Sequence, residues 1–341
     1  MTDRRSFHPP NQNALRGAMP IEIGIVNNMP DAAVRSTELQ FRSLLARAAG
    51  PLDIRLHLFM IPEILRSTEA RSAMSSRYTS VERIQDFSLD ALIVTGCEPK
   101  AADICDEPYW AALTRLVDWS RMHTISTIWS CLAAHGAVQH LDGIGRRALK
   151  RKRFGVFDCD LRCRTFLEEA PSFQIRVPHS RFNELDESQL TENGYTILTA
   201  SREAGVDAFF KRDKSLFLFF QGHPEYDRRA LLHEFRRDLL RFVRRESGYC
   251  PSTPRNYFGQ DTYQAINKLL EDAGPTLDVS LMDVAIEQGE RAICVDWFSW
   301  ATYIYKGWLS TIANEKLAFS STRSDGVCLS HYSDEFISSI S

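Results

Sequence analysis

The segment Thr124-Ile-Ser-Thr-Ile-Trp-Ser-Cys131-Leu-Ala-Ala-His-Gly-Ala-Val138 decides the fold. Its first half is β-branched and apolar, which favours a strand, and its second half is small and helix-forming. The sequence therefore predicts a strand-to-helix turn with Cys131 at the junction. Because the amides that open a helix carry partial positive charge, they favour a thiolate here, and Cys131 is a candidate nucleophile. The alternative is an inert cysteine at the end of a core strand.

His223 is the candidate general base for this thiol. It follows the apolar segment Ser215–Phe220 and a glycine, and Glu225 is close enough in sequence to orient its imidazole ring. A thiol nucleophile needs a base, and the base needs an orienting group. Taken alone, His223 is better explained as a structural histidine than as a catalytic one. Its occurrence together with Cys131 and Glu225 favours a Cys-His-Glu catalytic triad.

Strands alternate with helices through the first half of the chain, which predicts a mainly parallel, doubly wound sheet with helices on both faces. Between residues 194 and 220, apolar segments are separated by short turn sequences, so this part of the sheet should be antiparallel. An aromatic-rich segment, Val295–Tyr305, predicts a helical C-terminal extension. The predicted fold class is therefore α/β with some antiparallel strands.

The segment Asp90–Gly96 is predicted to be a second buried strand that ends near the nucleophile. In sheets of this kind, ligands bind at the carboxyl ends of the strands. Acyl transfer also requires groups that stabilise a developing oxyanion. We expect the backbone amide of Leu132, together with an amide from the loop at Cys97 and Glu98, to form this oxyanion hole.

The composition argues against several classes of function. With 44% hydrophobic and 25% charged residues and a net charge of −3, the chain has no overall field that would attract nucleic acid. No apolar segment is long enough to span a membrane, and the polar N-terminal segment is unlike a secretory signal. The eight cysteines are irregularly spaced without paired CxxC motifs, so we expect no metal site, reduced thiols and a cytoplasmic location.

The segment Arg146-Arg-Ala-Leu-Lys-Arg-Lys-Arg153 is the densest cluster of charge in the sequence. The simplest interpretation is a solvated connection between two elements. No aromatic residues are interleaved with the basic ones, which argues against a nucleic-acid surface. The remaining alternative is the rim of an active site that attracts a phosphorylated or carboxylated substrate.

Several short motifs resemble, in the same order, those of the homoserine O-acyltransferases, the succinyl- or acetyltransferases of methionine biosynthesis. The motifs are Asn28-Met-Pro30, Ser36-Thr-Glu-Leu-Gln40, Leu92-Ile-Val-Thr-Gly96, Tyr109-Trp110, Ser126-Thr-Ile-Trp-Ser-Cys131, Pro178-His-Ser-Arg181, Gly222-His-Pro-Glu-Tyr-Asp227, Glu234-Phe-Arg-Arg-Asp238 and Asn256-Tyr-Phe258. The resemblance implies the fold of class I glutamine amidotransferases. It also implies that Cys131 accepts the acyl group, that His223 is the general base and that Glu225 is the partner of the base.

The same resemblance implies further residues that bind substrate. Ser180 and Arg181 match a motif that shapes the amino-acid site, Arg237 matches an arginine that binds the substrate's α-carboxylate, and Lys152 matches an active-site lysine. Lys100 occupies the position that governs acyl choice, where a cation can pair with the distal carboxylate of a succinyl group. This favours succinyl-CoA over acetyl-CoA. The alternative for each of these residues is a structural or solvated role.

We predict an acyl-CoA-dependent homoserine O-acyltransferase that reacts by a ping-pong sequence through an acyl-cysteine. Succinyl-CoA or acetyl-CoA would be its co-substrate, with no bound cofactor and no nucleic-acid or membrane partner. An acceptor other than homoserine, such as serine, stays open. Leu132 and His135 are typical of amidotransferases rather than of the acyltransferases, so a glutamine amidohydrolase is the second hypothesis. An inactive binding or sensor protein with the same fold is the third.

One domain should contain all of these motifs. We expect a flexible segment at residues 1–18, a single amidotransferase-like domain at 19–306 that includes C-terminal helices from about residue 262, and a poorly ordered tail at 307–341. The aromatic C-terminal helix would also suit packing across a homodimer.

Overall fold

Strands and helices alternate along the chain as the sequence predicts. The computed structural model describes residues 19–165, 167, 169–273, 287, 289, 293 and 295–324. The strands are β1 (Ile21–Val26), β2 (Ile54–Met60), β3 (Thr79–Ser80), β4 (Ala91–Val94), β5 (Ser126–Ser130), β6 (Arg147–Leu161), β7 (Ile175–Glu184), β8 (Thr196–Ser201), β9 (Gly205–Arg212) and β10 (Leu216–Phe220). The helices are α1 (Val34–Ala49), α2 (Thr68–Ser75), α3 (Trp110–His123), α4 (Leu132–Asp142), α5 (Glu187–Glu192), α6 (Ala230–Val243), α7 (Gln260–Ala273) and α8 (Phe298–Ser324).

The strands of the described part of the chain form a single ten-stranded sheet in the order β3-β2-β1-β4-β5-β10-β9-β8-β6-β7. Neighbouring strands from β3 to β10 in this order are parallel. Those from β10 to β7 are antiparallel. The predicted α/β class, with antiparallel strands in the second half of the sheet, is confirmed.

Helices cover both faces of the sheet. Consecutive residues of a strand point to opposite faces, and on β5 the buried Ile128 packs in the cluster that contains Phe41 of α1 and Trp300 of α8. Its neighbour Trp129 packs in the opposite cluster, which contains Leu113 of α3. The sheet is therefore buried on both sides, and its strand ends are well-fixed positions. No helix within the described ranges is both long and apolar enough to cross a membrane.

The two central strands β5 and β10 are parallel neighbours, and this pairing brings distant parts of the chain together. Their register places Ser130 opposite Phe220. The amide of Cys131 donates a hydrogen bond to the carbonyl of Phe220 over 2.7 Å. Because the strands end side by side, Cys131 leaves the sheet next to the segment that carries His223.

The basic segment at residues 146–153 is not a loop, as the simplest interpretation of the sequence suggested. Most of it forms the first half of β6, which pairs antiparallel with β7. The pairing is irregular between Ala148 and Arg153, where β6 bulges. The prediction of a connection is therefore wrong for the backbone, although Lys150 and Arg151 are exposed to solvent.

The C-terminal helix is longer than the sequence suggested. It continues to Ser324, well past residue 306, where the domain was expected to end. Trp308 and Ile312 are fully buried in the same cluster as α1, and Trp308 Nε1 donates to Ser126 Oγ of β5 over 2.8 Å. The prediction of a poorly ordered tail from residue 307 is therefore wrong for residues 307–324. Residues 325–341 and the predicted flexible segment 1–18 lie outside the described residues.

Candidate active site

Cys131 lies at the turn between β5 and α4. Its backbone angles are φ 53° and ψ −116°, a conformation that costs a residue with a Cβ roughly 1–3 kcal/mol. The surrounding structure enforces it, since Cys131 is both hydrogen-bonded to the end of β10 and the residue that precedes the first turn of α4. The side chain is partly exposed and can be reached by a substrate. Strain of this kind at a reactive side chain is typical of active sites.

The end of β4 approaches the first turn of α4 very closely. A Cβ placed on Gly96 would lie 2.9 Å from the amide nitrogen of Leu132 and 3.3 Å from the carbonyl oxygen of Ser130. Only glycine permits this approach. The loop that we expect to contribute to the oxyanion hole therefore starts beside the Leu132 amide.

Two polar side chains, the buried Glu107 and the partly buried Arg146, hold this loop in place. Glu107 Oε1 accepts hydrogen bonds from the amides of Lys100, over 2.6 Å, and of Ala101, over 2.8 Å. The guanidinium of Arg146 donates to the carbonyl of Ala102 over 3.0 Å. These bonds fix the backbone just after the predicted oxyanion amides, and they orient Lys100 with its side chain in solvent.

A second cysteine, Cys97, lies in the same loop but is unsuited to be the nucleophile. Burial raises the pKa of its thiol to about 12. A thiol with such a pKa stays protonated and unreactive near neutral pH. Cys131 therefore remains the candidate nucleophile at this strand end.

His223 contacts both Cys131 and Glu225. Its Nδ1 donates to Glu225 Oε1 over 2.8 Å, and the thiol of Cys131 lies close enough to the ring to favour its charged form. The ring also stacks on Tyr226, with centroids 4.2 Å apart. Burial opposes a charge on the imidazole, but the Glu225 carboxylate and Cys131 outweigh burial and hold the pKa of His223 well above its ordinary value. The structure thus brings the three predicted triad side chains together at the ends of β5 and β10.

Glu234, a carboxylate on α6, connects Tyr226 to further polar side chains at the outer side of the site. Glu234 accepts hydrogen bonds from the hydroxyls of Tyr226 and Ser180. Lys152 Nζ lies 3.6 Å from Glu234 Oε2 and 2.8 Å from Asp238 Oδ2. Ser180 and Lys152, both predicted from sequence to lie at the site, therefore meet at Glu234, for which the sequence indicated no role.

Two arginines of α6 lie at the outer side of this cluster. Arg237 donates to Asp238 Oδ1 from Nε and Nη2 over 2.9 and 2.8 Å, and 46% of its side chain is exposed. One helical turn further on, Arg241 donates to Glu98 Oε1 over 2.7 Å. This second pair ties the loop after β4 to α6. Arg237 keeps a solvent-exposed face that is available to an anionic ligand.

Arg181 does not lie with Ser180, contrary to its expected role in substrate binding. Its buried guanidinium donates to the carbonyl of Asn183 over 2.7 Å and to the carbonyl of Ala204. Neighbouring residues of a strand point to opposite faces, so β7 directs Ser180 toward Glu234 and Arg181 into the interior. The geometry assigns Arg181 to support of the turn between β8 and β9.

The family model for homoserine O-succinyltransferase matches residues 8–318. This range contains every site residue predicted from the sequence. The chain belongs to the homoserine O-succinyltransferase family. A homoserine O-succinyltransferase of Rhodopseudomonas palustris is 43% identical over 303 residues, which are 87% of this chain and 90% of the relative. Another, from Bradyrhizobium japonicum, is 46% identical over 271 residues, which are 78% of this chain and 83% of the relative.

Solved structures resemble this member of the homoserine O-succinyltransferase family only distantly. A glutamine amido transferase from Methylobacillus flagellatus has a TM-score of 0.47 and 15% sequence identity, with 86% of this chain and 94% of that chain covered. The similarity is too low for any comparison of the two sites. Within the described ranges, no group of three or more His, Cys, Asp or Glu side chains could hold a metal ion.

Two buried residues beneath the His223 turn were missed by sequence reasoning. His179 Nε2 on β7 and Asp207 Oδ1 on β9 are 3.5 Å apart, and neither side chain is exposed. A Cβ on Gly222 would lie 2.5 Å from Asp207 Oδ1 and 3.0 Å from His179 Cε1, so the turn rests directly on this pair. His179 belongs to the Pro178–Arg181 motif that points to the homoserine O-succinyltransferase family, and the carbonyl of its neighbour Pro178 accepts a hydrogen bond from the amide of His223 over 2.8 Å.

We expect the stability conferred by Asp207 to depend on pH. Burial raises the pKa of Asp207 to about 6, from 3.8. The folded state therefore holds this proton more tightly, and its contribution is full below pH 4 and is lost as the pH rises through 6. Urea unfolding at pH 4 to 7 should show the free energy of unfolding of the wild type, relative to that of Asp207→Asn, falling by roughly 2 kcal/mol as the pH rises. Parallel pH curves would contradict this assignment.

Proposed function

We propose that this protein transfers a succinyl group from succinyl-CoA to the hydroxyl of L-homoserine, a step of methionine biosynthesis. The observation that carries the proposal is the position of Cys131 beside the ring of His223 at the adjacent ends of β5 and β10, with His223 hydrogen-bonded to Glu225. The names of the relatives from Rhodopseudomonas palustris and Bradyrhizobium japonicum favour the succinyl group over the acetyl group and homoserine over other acceptors.

In the first half of the reaction, Cys131 takes the acyl group. His223 holds the proton of the thiol, and the thiolate attacks the thioester carbonyl of succinyl-CoA. The negative charge on the carbonyl oxygen is stabilised by the Leu132 amide and an amide at Cys97 or Glu98. The C–S bond to CoA then breaks, CoA takes the proton from His223 and leaves, and a succinyl thioester remains on Cys131.

In the second half, homoserine takes the acyl group from the cysteine. His223 removes the proton of the homoserine hydroxyl, the oxygen attacks the acyl-cysteine carbonyl, and the same amides stabilise the same charge. The C–S bond to Cys131 breaks, and the proton on His223 returns to the sulfur. Glu225 keeps the imidazole oriented through both halves and stabilises its charged form.

The outer cluster is suited to binding the two substrates. Arg237, with its exposed guanidinium, would bind the α-carboxylate of homoserine through two parallel hydrogen bonds. Ser180 and Lys152 would shape the same pocket through Glu234. Lys100, exposed on the loop after β4, would pair with the distal carboxylate of the succinyl group. Arg181 is left out of the substrate site because its donors are used within the protein.

A grid of donors and acceptors tests the proposal. Succinyl-CoA and acetyl-CoA are each incubated with the protein and with homoserine, serine or water, and release of the CoA thiol is measured. The fastest release is expected with succinyl-CoA and homoserine, at least about 10-fold above either single replacement, since acetyl-CoA lacks the distal carboxylate and serine is one methylene shorter than homoserine. Faster release with acetyl-CoA would overturn the donor, and faster release with serine would overturn the acceptor. Ammonia release from glutamine without thiol release would favour the amidohydrolase, and inactivity throughout would favour the binding protein.

A further inference from the structure

Two exposed aromatic side chains contact each other beside the candidate site and have no role in the mechanism above. Phe182 of β7 is 46% exposed, and Tyr249, in the segment after α6, is 38% exposed. Their rings meet edge to face, with centroids 5.4 Å apart. Flat aromatic surface left in water is a suitable binding surface for another flat ring.

A cationic bulge lies opposite this aromatic pair. In the ladder between β6 and β7, residues 149–152 of β6 have only Phe182 of β7 across from them. Two of these four residues, Lys150 and Arg151, are exposed. Within the part of the chain that the structure describes, neither is paired with a carboxylate. Their charges are therefore available to an anionic ligand.

Lys152 connects this surface to the reaction centre. Its Nζ lies 5.7 Å from the centroid of the Phe182 ring and 3.6 Å from Glu234 Oε2. Glu234 accepts the hydrogen bond of Tyr226, and the Tyr226 ring stacks on His223. The aromatic pair and the bulge thus lie at the outer end of the same series of contacts that begins at the nucleophile.

We propose that Phe182, Tyr249, Lys150 and Arg151 form a nucleotide platform that binds the adenosine 3′-phosphate 5′-diphosphate end of the acyl-CoA donor. Adenine stacks on exposed aromatic rings, and phosphates pair with lysine and arginine. CoA carries both groups at the end opposite its thioester, and a long flexible arm separates them. The chain as a whole has a net charge of −3, so this local positive surface is needed to attract the anion. The inference rests on the proposed use of an acyl-CoA.

Phe182→Ser separates this role from catalysis when two donors are compared. The first donor is succinyl-CoA, and the second is succinyl-pantetheine, which has the thioester but no nucleotide. The KM for succinyl-CoA should rise roughly 10-fold with kcat unchanged, because one stacking contact is lost. The KM for succinyl-pantetheine should stay at the wild-type value. A double variant, Lys150→Ala with Arg151→Ala, should likewise raise only the KM for succinyl-CoA, and the remaining dependence on salt should be weaker.

Leu65→Ser is the matched control, because Leu65 is also an exposed apolar residue, at 65%. It should leave both KM values unchanged. If Phe182→Ser changes the KM values for both donors equally, or changes neither, the platform is overturned even if acyl transfer itself is confirmed.

If the wild type uses neither donor, the proposed function fails, and the platform is then tested by titration calorimetry with adenosine 3′,5′-bisphosphate. Binding to the wild type that is lost in Phe182→Ser supports the platform. Absence of binding to the wild type overturns it. If the wild type is a dimer, Phe182→Ser is a monomer and the KM for each donor is unchanged, the surface binds a second copy of the protein. That result would also overturn the inference.

Discussion

Replacing Cys131 by alanine is expected to reduce acyl transfer by at least about 10⁴-fold, because the residue forms the covalent bond to the acyl group in the first half of the reaction. Incubation with succinyl-CoA alone should add the mass of one succinyl group to the wild-type protein and none to Cys131→Ala, as measured by intact-protein mass spectrometry. Alanine keeps the Cβ that the strained turn already accommodates, so the unfolding midpoint should change little.

Cys163→Ala is the control for this experiment. Cys163 is also a partly exposed free thiol, but it lies in the segment after β6, a strand that pairs with β8 and β7 and not with β5 or β10. It should keep full activity and the full mass adduct. Transfer in Cys131→Ala at more than a few per cent of the wild-type rate would contradict a covalent route. An adduct that persists in Cys131→Ala would assign the acyl group to another residue.

The turn at Cys131 was predictable because local sequence determines it. One short segment contains β-branched residues typical of a strand, then small residues typical of a helix, and the period of its hydrophobic pattern changes between them. The structure has β5, the turn and α4 at these positions. The placement of His223 next to it followed from the rule that ligand sites lie at the carboxyl ends of parallel strands. What the sequence could not supply was the order β5-β10 in the sheet, which puts those two ends side by side.

The errors arose where long-range pairing decides the structure. The basic first half of β6 has no apolar alternation, and it is a strand because β7 pairs with it. Arg181 was placed with Ser180 because the two are adjacent in a motif, whereas strand geometry separates adjacent side chains onto opposite faces. The end of the domain was placed too early because the apolar residues of α8 beyond residue 306 were not recognised as a buried face against α1.

Replacing Glu225 by glutamine is expected to lower kcat by at least about 100-fold while leaving the fold intact. Glutamine can still accept the hydrogen bond from His223 Nδ1, so the change removes charge more than geometry. In the wild type, burial works against the imidazolium, and the Glu225 carboxylate is the larger of the attractions that hold the pKa of His223 above its ordinary value. Without that carboxylate the pKa of His223 falls, and the imidazolium that favours a thiolate at Cys131 is lost at a lower pH.

Alkylation of Cys131 by iodoacetamide measures this effect without any acyl donor. The thiolate is the reacting form, so the pH profile of alkylation should move to higher pH in Glu225→Gln, and the rate at pH 7 should fall. Glu192→Gln on α5, an exposed carboxylate far along the chain from the triad, should leave the profile unchanged. A variant that loses activity but keeps the wild-type alkylation profile would show that Glu225 only orients the ring, and that its charge does not support the Cys131–His223 pair.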